Sequence, residues 1–170
     1  RLPTLDDVFS LMHASPLSIH VELKTPQRND SKQIGTLIDT LIEGLVAKVI
    51  AHIAAHGLET RVVISSFSHQ SLEELRRQAP NLPRAALFSR HDPADWRPLL
   101  DGGYAALHPP AALCDAELVW ACHGRGLAVR PWTVDDEAEA ERLLHLGVDG
   151  IITNRPDALL VLRDHLQADA

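Results

Sequence analysis

Two charged side chains, Glu22 and Lys24, close a run that alternates apolar and polar residues: Ser18 to Lys24 reads S-I-H-V-E-L-K. A period of two puts Ile19, Val21 and Leu23 on one strand face and His20, Glu22 and Lys24 on the other. In a (β/α) barrel the apolar face meets the helices, so the polar triplet points to the axis, with Glu22 near the strand end where barrel enzymes place their active sites. A carboxylate pointing inward is expensive unless it is paired or bound to a cation. Glu22 is therefore either one half of a structural pair with Lys24 or another charge, or a metal ligand. Lys24 is either that partner or a rim charge. His20, one layer deeper, is expected to be a hydrogen-bonded core residue.

Other strand ends pose similar choices. Phe67 closes V-V-I-S-S-F as an apolar wall candidate, and His69 follows it in a loop over the mouth. His108 ends Y-A-A-L-H ahead of Pro109-Pro110, although ten histidines in one chain make most of them surface residues. Trp132 stands in phase with Ala128 and Arg130, packing at the rim or against a ligand. Arg130 is a second inward cation or the partner of a buried acid. Asp149, Thr153 and Asn154 read as turn and cap chemistry before a helix that begins at Pro156, since proline suits a first turn.

The elements that must position these residues alternate strand and helix. Strands are predicted at Ser18–Lys24, Arg61–Phe67, Arg84–Phe88, Tyr104–His108, Leu127–Val134 and Gly147–Pro156. Asp30-Ser31 supplies cap-type residues before a helix over Ile34–His56, in which Ile34, Leu37, Ile38, Leu41, Ile42, Leu45, Val49, Ile50 and Ile53 recur at helical spacing. Further helices are predicted at Ser71–Ala79, Ala94–Leu100, Ala111–His123, Asp136–Leu146 and Pro156–Leu166. Six strands, each followed by a helix with short loops between, predict an α/β fold of the TIM type, incomplete at six βα units, in one domain over 1–170. A complete barrel of this kind usually needs about 250 residues. An open edge at the first strand would need covering, by further strands or by oligomerisation.

Composition narrows the function classes. The chain has 170 residues, 45% of them hydrophobic, which is enough for a sizeable core. A net charge of −7 without a Lys/Arg cluster argues against nucleic acid as a partner. No window approaches the 18 or so apolar residues of a membrane span. The two cysteines, Cys114 and Cys122, fall in one predicted helix about 12 Å apart, beyond disulfide reach. They read as core residues and favour a reducing compartment, so a cytoplasmic location is expected, with an upstream leader left open.

The last third is the most specific part of the chain. Leu127 to Val134 (L-A-V-R-P-W-T-V) and Gly147 to Pro156 (G-V-D-G-I-I-T-N-R-P) resemble the close of the glycerophosphodiester phosphodiesterases. Pro3-Thr4-Leu5, Val21-Glu22-Leu23-Lys24 and Ile64-Ser65-Ser66-Phe67 fall upstream in that family's order. The resemblance runs the full length. It implies metal-dependent hydrolysis of a glycerophosphodiester to sn-glycerol 3-phosphate and an alcohol. It also implies that Glu22 is a divalent-metal ligand, that Lys24 lies beside the phosphate, that Trp132 walls the glycerol side, with Phe67 a similar wall, and that His108 is a pocket residue. An all-oxygen site suits Mg2+ or Ca2+.

Three family features have no counterpart here: the opening His-Arg-Gly segment, the Glu-x-Asp pair and the His-Asp pair. One metal carboxylate without an acid/base pair predicts essentially no turnover by these 170 residues alone. Because Arg1-Leu2-Pro3-Thr4-Leu5 opens inside a motif, a longer protein is expected. The alternative is a non-catalytic shortened barrel that binds a phosphate-bearing ligand or a partner chain, and an oligomer fits either reading. Asn154-Arg155 departs from the Asp-Arg often found in the family.

Overall fold

The computed structural model describes residues 1–24, 32–89 and 96–168, and the chain divides into two compact units, Arg1–Ala85 and Ala86–Ala170. The proposed cap Asp30-Ser31 and the start of the helix expected from Ala94 lie outside the described residues.

The first unit opens with a helix that the strand-helix alternation did not anticipate, α1 (Leu5–Met12). Thr4 and Asp7 start it as a capping box: the Thr4 hydroxyl accepts from the Asp7 N–H at 3.2 Å and the Asp7 carboxylate accepts from the Thr4 N–H at 2.8 Å. β1 (Ile19–Glu22) follows, then α2 (Lys32–Ala55), β2 (Val62–Ser66) and α3 (His69–Gln78), and β3 (Arg84–Leu87) carries the chain into the second unit. α1 docks on α2 through Asp6, whose carboxylate accepts from His52 Nδ1 at 2.7 Å and His56 Nε2 at 3.1 Å, while Phe9 meets the His56 ring edge to face. β1 and β2 pair in parallel with Ile19 opposite Val62 and Glu22 opposite Ser65, and the Ile64 N–H donates to Pro83 at the start of β3.

The core of this unit joins Phe9, Ile38, Ile42, Val46, Val49, Ile53, Val62, Ile64 and Leu75. α2 buries a narrower stripe than its apolar spacing suggests. Ile38, Ile42, Val46, Val49 and Ile53 face inward, whereas Leu37 and Leu41 sit about 100° round the helix and remain 60% and 52% exposed. Gly57 ends α2 with φ 61°, so that the Leu58 N–H can reach back to the Ile53 carbonyl at 3.1 Å.

In the second unit β4 (Ala106–His108) pairs in parallel with β5 (Ala128–Val129), and Pro110 opposite Trp132 extends the pairing as an isolated bridge. The helix expected over Ala111–His123 is broken in two. A 3₁₀ turn at Ala111–Leu113 is followed by α4 (Ala116–His123), because Asp115 caps α4 by accepting from the Leu118 N–H at 2.9 Å. Cys114 thus lies between the two pieces and Cys122 within α4; both are buried as free thiols, which burial pushes up to about 11. A 3₁₀ turn at Arg97–Asp101 replaces the short helix before β4. α5 (Glu137–His145) and α6 (Pro156–Ala168) complete the unit around Leu107, Leu118, Val129 and Leu143.

The sixth strand expected over Gly147–Pro156 does not form a ladder, which leaves five strands among the described residues. Residues 149 to 152 still run beside β5: the Asp149 N–H donates to Val129 and the Ile152 N–H to Pro131, both at 2.9 Å. The donors are three residues apart and the acceptors two. One extra residue disrupts the pairing as a bulge would. Within each unit, strands that follow one another in sequence are neighbours in the sheet, the winding of parallel βα units. No helix among the described residues is long and apolar enough to cross a membrane.

Candidate active site

In the first unit the candidate residues gather at the C-terminal ends of β1 and β2. Leu23, between Glu22 and Lys24, is buried, and its N–H donates to the Ser65 carbonyl at 2.8 Å. Its carbonyl accepts the fully buried Ser66 hydroxyl at 2.7 Å, and the Ser66 oxygen accepts from the Ser68 N–H at 3.0 Å. Leu23 is thereby fixed, and the residues on either side of it are turned outward. Lys24 Nζ stands 3.9 Å from Glu22 Oε2, with side chains 82% and 36% exposed. So loose and open a pair contributes at most about 1 kcal/mol. Both groups remain accessible to a third charged species. Phe67, two residues beyond the partner of Glu22 in β2, is 46% exposed. Ser68 next to it caps α3, accepting from the Ser71 N–H at 3.2 Å.

Two histidines lie elsewhere than expected. His20 is exposed, not a core residue, because the face it shares with Glu22 is open on β1. His69 is the first residue of α3 and is also exposed.

In the second unit His108 is 1% exposed at the end of β4, and its carbonyl is directed at Trp132. The Trp132 indole N–H donates to it at 2.9 Å; the Trp132 backbone N–H donates to Pro109 at 2.9 Å, and its carbonyl accepts from the Ala111 N–H at 2.8 Å. Three bonds to one loop hold the part-buried indole against the end of β4. The Arg130 side chain lies over Gly150, and its charge is the smallest of the effects that lower the Asp149 carboxyl. Burial pushes that carboxyl up, but hydrogen bonds from the Val129 N–H at 2.7 Å and His123 Nε2 at 2.9 Å outweigh it and hold the group below the usual range. Thr153 Oγ1 accepts from the Arg155 N–H at 2.9 Å, turn chemistry ahead of α6.

Two residues near these ends went unassigned in the sequence. Ser66 is the clamp just described, and its signal was a pair of serines at a strand end. Asp135 accepts from the Asn154 N–H at 2.7 Å, the Asn154 amide at 2.9 Å and the Thr153 hydroxyl at 3.0 Å. The Asn154 side-chain amide, then its backbone N–H, hold the Asp135 carboxyl below the usual carboxylate range.

The donor chemistry of Glu22, a hard oxygen on an open strand end, fits a divalent cation such as Mg2+ or Ca2+. The number of donors does not, since among the described residues no group of three His, Cys, Asp or Glu side chains could hold a metal ion.

The sequence model described as "Glycerophosphoryl diester phosphodiesterase family" matches residues 1–158. A glycerophosphodiester phosphodiesterase of Caldanaerobacter subterraneus subsp. tengcongensis is 35% identical over 95% of this chain and 62% of its own length. One from Bacillus subtilis is 29% identical over 92% of this chain and 52% of its own. The chain thus spans between half and two thirds of the length of these curated relatives. Among solved structures, one from Silicibacter pomeroyi described as a candidate glycerophosphoryl diester phosphodiesterase superposes with a TM-score of 0.82 at 28% identity, covering 96% of this chain and 57% of that one. An Oleispira antarctica phosphodiesterase, solved with the product sn-glycerol-3-phosphate, shares the fold at a TM-score of 0.79 and 22% identity, over 95% of this chain and 61% of that one. With that match over nearly its whole length, and with the α/β fold of the TIM type, this chain belongs to the glycerophosphoryl diester phosphodiesterase family.

Proposed function

We propose that residues 1–170 form one partial barrel domain of an enzyme that hydrolyses glycerophosphodiesters, such as glycerophosphocholine, to sn-glycerol 3-phosphate and the free alcohol. The reading is carried by one observation above all: in a chain of this family, Glu22 and Lys24 stand exposed side by side at the end of β1. Lys24 places an ammonium beside the phosphate and stabilises negative charge on its non-bridging oxygens. A protein of net charge −7 must concentrate cationic charge locally to hold an anionic diester, and an exposed lysine does so. Trp132, pinned by its three hydrogen bonds, offers a rigid apolar wall to the glycerol side; Phe67 is a similar wall and His108 a pocket residue.

Glu22 would serve as one ligand of a divalent cation, Mg2+ or Ca2+, and such a cation would supply charge neutralisation to the diester. Its other ligands, and the general acid and base, come from outside these 170 residues, so the chain alone shows essentially no turnover. The likeness to a phosphodiesterase solved with sn-glycerol-3-phosphate supports the choice of product. The protein takes a small-molecule substrate and no nucleic acid and is open to oligomerisation; its two free buried cysteines favour a reducing compartment such as the cytoplasm.

The test is Glu22→Gln in the protein's longest natural form, which keeps size and hydrogen bonding but removes the charge. Metal-dependent turnover is expected to be lost while the fold stays intact by circular dichroism. Turnover that keeps its metal dependence in this variant would overturn the assignment. Because no three ligands come together among the described residues, a non-catalytic barrel that binds a phosphate-bearing ligand or a partner chain is the second reading. It predicts silence from the longest form as well.

A further inference from the structure

Asp135 is the third residue after Trp132, and its carboxylate gathers the loop that follows the last βα turn. Oδ1 accepts the Thr153 hydroxyl at 3.0 Å and the Asn154 backbone N–H at 2.7 Å, while Oδ2 accepts the Asn154 amide at 2.9 Å. Backbone bonds lace the same two segments: the Val134 N–H donates to Ile152 at 3.0 Å and the Ile152 N–H to Pro131 at 2.9 Å. Trp132 is therefore held from two directions, by His108 to Ala111 on one side and by the 152–154 loop through its own segment on the other.

The Asp135–Asn154 contact is selective for residue type. A carboxylate at 154 would face the Asp135 carboxylate across the same gap, and two like charges there repel. An amide at 135 would set a donor against the Asn154 donor unless one of them turned over. The exchanged pair, Asn at 135 with Asp at 154, rebuilds all three bonds with the charge kept, because the new amide oxygen still accepts from Thr153 and the 154 N–H while its NH₂ donates to the new carboxylate; an amide at 135 alone rebuilds them once the Asn154 amide turns over, without the charge.

We propose that Asp135 and Asn154 are a matched positioning pair, a carboxylate that requires an amide opposite it, which holds the Trp132 segment in the geometry the substrate's glycerol side meets. The substrate half of this inference rests on the function proposed above; the positioning half does not.

The chain has three tryptophans, so replacing Trp96 and Trp120 with phenylalanine leaves Trp132 as the sole indole reporter. In that background, acrylamide quenching of Trp132 is expected to rise in N154D and in D135N, and to return to the parent value in D135N/N154D. Hydrogen exchange over residues 131–135, read by mass spectrometry in the chain with all its tryptophans, follows the same order. N154D exchanges about tenfold faster or more, the loss expected for a charge-assisted hydrogen bond, D135N less because an amide pair can still form, and the double variant does not. Singles that leave quenching and exchange unchanged, or a double no better than the worse single, would overturn the pair.

In the longest natural form, KM for glycerophosphocholine is expected to rise in the singles and recover in the double, with kcat little moved. Recovery of quenching together with a KM that does not respond to Trp132→Ala would overturn the substrate half and the wall role of Trp132 while the positioning pair stands.

Discussion

A carboxylate and an ammonium 3.9 Å apart on an open strand end stabilise each other weakly, and both stay available to a ligand of complementary charge. That availability separates Glu22 and Lys24 from the other charged pairs at strand ends. Asp149 and Asp135, by contrast, spend their oxygens on N–H groups of their own chain. Replacing Lys24 with alanine in the longest natural form should lower kcat/KM for glycerophosphocholine about ten- to a hundredfold, as a charged hydrogen bond contributes about 1.5–3 kcal/mol. An unchanged kcat/KM would place Lys24 outside the site.

The two aspartates also set an acid limit. Both carboxyls titrate lower in the folded chain than unfolded. The stability they contribute is therefore fully present above the ordinary Asp value of about 3.9 and is lost as the pH falls through the folded values. Urea midpoints should fall below about pH 4, with a shallower acid limb in D135N. A D135N chain whose acid limb matches the parent would show that Asp135 is not linked to folding.

The elements were legible in the sequence to the extent that hydrophobic period decides them. Five of six strands formed, each within its expected run, because alternation at Ile19 to Leu23 and the buried runs at Val62 and Arg84 have no helical competitor. What escaped was decided by single side chains or by an offset. Asp115 caps α4 and splits the helix at Cys114, Thr4 and Asp7 nucleate α1, and the three-for-two spacing beside β5 suppresses the sixth ladder. His20 was misplaced because period two gives a side chain's face and not what covers that face. Ser66 and Asp135 act by hydrogen bonds between segments far apart in sequence, which no local spacing encodes.

Burial predicts how unequal apolar positions are within these elements. Leu118→Ala or Leu143→Ala, each at full burial in the second unit, should cost about 2–5 kcal/mol. Leu37→Ala and Leu41→Ala on the open side of α2 should stay within about 0.5 kcal/mol. Removing the α5 cap with Asp136→Ala, whose carboxylate accepts from the Glu139 N–H at 2.9 Å, should cost about 1 kcal/mol. Urea unfolding of the chain reads all of these, and a large loss at Leu37 would contradict the burial pattern of α2.

At the scale of the whole molecule, family membership and local chemistry point the same way, and the chain covers 62% of the Caldanaerobacter relative. The candidate residues divide between the two units: Glu22, Lys24 and Phe67 in the first, His108 and Trp132 in the second. Each unit holds its own set with hydrogen bonds, the buried Ser66 to Leu23 in one and the part-buried Trp132 to His108 in the other. The most direct measurement is release of sn-glycerol 3-phosphate from glycerophosphocholine, with Mg2+ or Ca2+ added, by these 170 residues and by the protein's longest natural form. The account predicts metal-dependent product from the longest form and essentially none from the 170 residues. Silence from a well-folded longest form would contradict the proposed hydrolysis, and turnover by the 170 residues alone would contradict the claim that the remaining ligands and the acid/base pair come from elsewhere.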